Sequence, residues 1–76
     1  MSDMPNFFRT RRLALGLRQV DVATAIGLSR SAVCEVEKGR RPLSVVALQR
    51  LCDALQLDDH GRATAMQIMA GVPAAA

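Results

Sequence analysis

The stretch QVDVATAIGLSRSAVCEVEKG, from Gln19 to Gly39, sets two short apolar runs on either side of a single glycine, Gly27. Val22, Ala23 and Ile26 follow the i, i+1, i+4 pattern of one buried helical stripe. Val33 and Val36 form the inward side of a second run, and Leu28 plugs the corner between them. Ala23 is small where the two helices should cross most closely. Gly27 sits where the turn needs a positive φ and where a side chain would clash. Two helices cannot bury these stripes alone, so the rest of the chain must complete the core.

The flanking sequence supplies three more helices. Pro5 suits a first helical turn, with Asp3 or Asn6 as caps. This helix runs to about Leu15, with Phe8 and Leu15 seven apart on one face and Arg12 between them; Gly16 ends it. Ser29 caps a helix over about 30–37, which Gly39 stops, and Arg40-Arg41-Pro42 forms a basic loop. Ser44 caps a fourth helix, about 45–55, with the stripe Leu48, Leu51, Cys52 and Leu55. Asp58 or Asp59 caps a fifth, about 59–70, closed by Gly71 and Pro73, after which the terminal alanines fray. No period-2 alternation, repeat or linker is visible. The expectation is one all-α domain over residues 1–76, near the lower size limit for a self-sufficient core.

Charge is unevenly placed. Residues 9–41 hold eight basic side chains against Asp21, Glu35 and Glu37, a net +5, while the remainder carries −2. Nine of the ten basic residues are arginine. The planar guanidinium fork suits phosphate oxygens and guanine edges, although a solvated basic face without a partner has the same composition. Phe7 and Phe8 are the only aromatic residues, which argues against stacking on single-stranded bases. Two cysteines are too few for a secreted disulfide scaffold, and neither a leader nor a membrane-length apolar run is visible; these features predict a reducing, cytoplasmic setting and no membrane partner.

Catalytic and metal chemistry find little support. His60 is the only histidine, and neither Cys34 nor Cys52 stands at ligand spacing from it, so no metal or other cofactor is expected. There is no glycine-rich phosphate loop and no nucleophile with an evident base, so no enzyme activity is expected. Cys34 reads either as a small residue on the third helix or as a redox-sensitive thiol near cations; Cys52 reads as core.

The paired runs around Gly27 have the spacing of a helix-turn-helix, whose second helix enters the major groove. The wider segment RRLALGLRQVDVATAIGLSRSAVCEVEKGRRP resembles the Cro/C1-type (phage repressor, XRE) helix-turn-helix family. The likeness runs from Phe8 to about Leu57 through Arg12, Gly16-Leu17, Gln19, Ala23, Gly27, Val33, Glu37 and Gly39. It implies a five-helix lambda-repressor-like fold, with the motif over about 19–38, and a regulator of transcription, a repressor or switch, that binds double-stranded DNA. It also implies residue roles. Arg12 and Glu37 would form an ion pair. Gln19 would meet a phosphate through its backbone N–H or side chain. Arg18 stands where the family often has Thr or Ser, weakening the helix cap but adding a cation beside that phosphate. Ser29 would cap the third helix and touch phosphate. Arg30, Ser31, Ala32 and Glu35 match base-facing positions: Arg30 to guanine O6 and N7, Glu35 to a cytosine amino group, Ala32 to a thymine methyl, Ser31 to a base or phosphate. Arg40 and Arg41 would contact the DNA backbone. Arg9 and Arg11 read as solvated.

Met66, Ile68, Met69 and Val72 exceed the apolar surface a terminal helix needs and predict a homodimer face on a pseudo-palindromic operator, the protein being nucleoid-associated when bound. Compact members of the resembled family include phage repressors, restriction–modification controller proteins and antitoxins, so a toxin or antirepressor partner stays open. The rival reading is an antitoxin or other interaction module whose main partner is a protein.

Overall fold

A computed structural model describes residues 4–73, with side chains from Phe7 onward. The expected caps Asp3 and Asn6 and the terminal alanines lie outside the described residues or side chains. Five helices follow in order: α1 (Met4–Ala14), α2 (Gln19–Ile26), α3 (Arg30–Glu37), α4 (Val45–Ala54) and α5 (Asp59–Ala70). No strand occurs among the described residues.

Local chemistry sets the boundaries. Ser29, Ser44 and Asp58 sit in extended backbone before α3, α4 and α5, and each side-chain oxygen accepts from the backbone N–H three residues on. Such caps satisfy one of the donors a helix start leaves open, worth ~1 kcal/mol each. Gly27 ends α2 at φ +73°, with the Leu28 N–H returning to Ala23 O at 3.0 Å. A Cβ there would meet only Arg50 Nη1, at 3.6 Å, an ordinary contact. The left-handed backbone, not lack of space, therefore requires glycine, contrary to the clash expected from the sequence. Gly61, in the first turn of α5, is the opposite case: its φ is ordinary, but a Cβ would press on Leu57 Cβ at 3.1 Å.

The core collects one stripe from every helix. Phe8, Val22, Ala23, Ile26, Val33, Val36, Leu51, Cys52, Leu55, Leu57, Ala65 and Ile68 are buried together. α2 packs on both α3 and α4, α1 lies against α3, and α5 closes the end against α4 and α1. Phe7 stands edge-on to Phe8, ring centroids 5.5 Å apart. Ile68 is 5% exposed and belongs to this core, not to an outer face of α5. Its position one turn after buried Ala65 turns it toward α1 and α4, which corrects the dimer-face expectation at that residue.

Arg11 is a second correction. It is half-buried, and its Nε donates to Leu55 O at 2.8 Å and its Nη2 to Gln56 O at 3.2 Å. A cation at a helix C-terminus satisfies open carbonyls and opposes the helix dipole. α1 is thereby tied to the end of α4. Gln56 takes φ +53°, the one left-handed residue other than glycine among the described residues.

Candidate nucleic-acid interface

The buried centre of the candidate surface is an ion pair. Arg12 and Glu37 are each 7% exposed, and the guanidinium grips the carboxylate through Nε–Oε2 at 2.6 Å and Nη2–Oε1 at 3.2 Å. Arg12 Nη1 also donates to Leu17 O at 2.9 Å, which fixes the turn between α1 and α2. The pair expected from the resemblance is thus formed. It bolts α1 to the C-terminal end of α3, and no buried side-chain polar atom among the described residues lacks a partner.

From this pair a chain of hydrogen bonds reaches the surface. Gln19 Nε2 donates to Glu37 Oε1 at 3.0 Å, and Gln19 Oε1 accepts from Arg30 Nη1 at 3.2 Å. Only one orientation of the Gln19 amide serves both neighbours, since a carboxylate only accepts and a guanidinium only donates. Arg30, exposed at the first turn of α3, is therefore held at one corner by a buried charge network. Gln19 thus spends its side chain on this relay.

Burial sorts the outward residues of α3. Arg30 and Ser31 are exposed and Glu35 is half-buried. Ala32 is 4% exposed, so its methyl is not available to a base. It follows Ser31 by 100° of helical turn, which swings it toward the core beside Val33, and that corrects its expected base-facing role. Half-buried Cys34 and exposed Lys38 fall on the face that Ser31 and Glu35 define. The i, i+3, i+4, i+7 series from Ser31 was the sequence signal for both.

Around α3 lie the remaining cations. Arg40 and Arg41 are exposed beyond its C-terminal end and, with Glu35 and Pro42, line an open cleft of about 410 Å³. No ion pair within 4 Å neutralises Arg30, Lys38, Arg40 or Arg41 among the described residues. Arg18 differs. It is the N-cap residue of α2, and the Asp21 carboxylate accepts from its backbone N–H at 2.8 Å, its Nη2 at 3.0 Å and its Nε at 3.2 Å. This bonding holds the Arg18 guanidinium above, and the Asp21 carboxyl below, its ordinary pKa. The hydroxyl cap missing at Arg18 is replaced by a carboxylate reaching back from the third helical residue. Arg9 is exposed, as expected.

Away from this face, Met66 is 64% exposed, while Met69 and Val72 are half-buried. Val45 (73% exposed) and Val46 (55%) add apolar surface at the start of α4 that the sequence stripe did not single out. A shallow apolar groove joins Val45, Leu48 and Met66 across α4 and α5. Among the described residues no group of three His, Cys, Asp or Glu side chains could hold a metal ion, and no helix is long and apolar enough to cross a membrane.

A family described as a helix-turn-helix domain matches residues 6–65, which span all of α2, α3 and α4 and most of α1 and α5. No curated protein and no solved structure matches the chain.

Proposed function

Because the chain belongs to the helix-turn-helix domain family, a family of DNA-binding modules, we propose that it is a sequence-specific regulator of transcription, a repressor or switch of Cro/C1 type. The observation that carries this reading is the outward face of α3: a guanidinium pinned through Gln19 to a buried ion pair, beside Lys38, Arg40 and Arg41, which have no ion-pair partner among the described residues. α3 lies in the major groove. Arg30 reads a guanine by its fork, Glu35 accepts from a cytosine amine, and Ser31 bonds a base or phosphate. Gln19 N–H, Ser29, Arg40 and Arg41 contact phosphates and fix the register.

Size supports a dimer. The domain measures 30 × 26 × 25 Å, whereas successive major-groove faces stand ~34 Å apart. One copy presents one recognition helix to one groove, and a second copy reads the other half of a pseudo-palindrome. Met66 is the exposed anchor of the dimer face, with Met69 on the same helix, Val72 just beyond its end and Val45 extending it across the groove. The same surface favours a second reading, an antitoxin-like module whose partner is another protein.

Selection of bound sites from a random duplex pool tests the first reading. Two related half-sites about one helical turn apart are expected. Arg30→Ala should relax preference at one base position, whereas Arg41→Ala should weaken all sequences alike. Identical effects of the two substitutions would remove Arg30 as a base reader. No duplex binding even at low salt would favour the protein-partner reading.

A further inference from the structure

Asp21 is not among the residues assigned above to base or phosphate contacts, yet it sits at the edge of the proposed interface with its carboxylate bonded to Arg18. We propose that Asp21 cancels Arg18 and so withholds one cation from the DNA backbone, lowering non-specific affinity without touching the base-reading face. The inference rests on the DNA-binding reading above.

Geometry makes the cancellation persistent. Both Asp21 oxygens are engaged: Oδ1 by Arg18 Nη2 at 3.0 Å, Oδ2 by Arg18 Nε at 3.2 Å and by the Arg18 backbone N–H at 2.8 Å. The side chains of the pair are 77% and 34% exposed, so the guanidinium can swing away at little cost, as exposed ion pairs do. The carboxylate cannot follow. Its bond to the backbone N–H keeps it at the start of α2, where the helix dipole also favours a negative charge. A phosphate that recruits Arg18 therefore meets Asp21 a few ångströms further on. The site presents a dipole rather than a net charge, and phosphate binding there releases no net counter-ion. Arg40, Arg41 and Lys38 have no such carboxylate within ion-pair distance among the described residues.

The test is the slope of log K against log[salt] on a random duplex. Each neutralised phosphate contributes about 0.9 to that slope. Asp21→Asn keeps an oxygen for the Arg18 backbone N–H, so the α2 start survives, and circular dichroism checks that it does. The substitution should steepen the slope by about 0.9, a loss about threefold greater between 50 and 200 mM salt. Arg18→Ala in the Asp21→Asn background should remove the gain, whereas in the wild-type background it leaves the carboxylate uncancelled and should lower both affinity and slope. An unchanged slope in Asp21→Asn, or a gain that persists when Arg18 is also replaced by Ala, overturns the proposal. Titration of the Asp21 carboxyl by NMR in the free protein gives an independent arm: it should titrate below the ordinary range, and return toward it in Arg18→Ala. Ordinary titration in the wild type overturns this inference alone, whereas absence of duplex binding by every variant overturns the DNA reading and this inference with it.

Discussion

Glu37→Ala should cost the fold about 3–5 kcal/mol, the loss typical when one partner of a buried ion pair is removed. The reason lies in what Arg12 has left. At 7% exposure it loses the acceptor for Nε and Nη2, and only Leu17 O remains as a partner. Gln19 Nε2 loses its acceptor in the same step. A domain of this length has a total stability of roughly 4–11 kcal/mol, so the variant lies close to unfolding. Its Tm should fall by roughly 12–40 °C, at about 4–8 °C per kcal/mol for a domain this small. Urea denaturation followed by circular dichroism measures the loss, with an unchanged dependence on denaturant. The double variant Arg12→Met/Glu37→Met separates charge from packing. It removes both charges and leaves Leu17 O and Gln19 Nε2 without these partners; the single variant strands Gln19 as well and leaves a buried guanidinium unpaired besides, so the double variant should be more stable than Glu37→Ala. It should nevertheless discriminate less well at the Arg30 base position, because Gln19 is no longer anchored. A loss below about 1 kcal/mol in Glu37→Ala, or a double variant no more stable than the single, refutes the reasoning.

Gln56→Gly should stabilise the protein by up to about 1 kcal/mol, since a left-handed non-glycine residue costs ~1–2 kcal/mol and the added unfolded-state freedom returns part of it; chemical denaturation decides, and a destabilised variant contradicts it. Lowering pH should weaken the start of α2. The folded-state pKa of Asp21 is depressed, so its contribution is present above the ordinary carboxylate range and lost as pH falls through the lower folded value, readable as loss of protection of the α2 amides that Arg18→Ala reduces. Thiol labelling at neutral pH should modify half-buried Cys34 and spare Cys52, whose burial pushes its thiol up; rapid modification of Cys52 in the folded protein would contradict the packing of α4. Gly61→Ala should destabilise the domain because its Cβ meets Leu57; unchanged thermal unfolding would show that Leu57 yields freely.

Much of the architecture was readable from local chemistry. The caps Ser29, Ser44 and Asp58 act within three residues, and the glycine ending α2 acts on its own backbone, so both are legible without tertiary knowledge. The stripes of α2, α3 and α4 declare their inward faces by period alone. What escaped depends on distant partners. Arg11 finds its carbonyl 44 residues away, and nothing in its own helix distinguishes it from solvated Arg9. Ala32 and Ile68 are short or apolar side chains whose exposure is decided by what covers them, so sequence placed them on the wrong side. Asp21 lies three residues from Arg18, within local reach, but its effect on the interface emerges only when Arg30, Lys38, Arg40 and Arg41 are seen to lack such a partner among the described residues.

The most direct measurement is a backbone amide NMR titration of the protein with a selected duplex. The largest shifts should fall on Arg30, Ser31, Cys34, Glu35 and Lys38, with a weaker set at Gln19, Ser29, Arg40 and Arg41. Little change is expected along α5 beyond what dimerisation produces with DNA absent. Shifts centred on Val45, Val46 and Met66, with α3 undisturbed, would contradict the placement of α3 in the major groove.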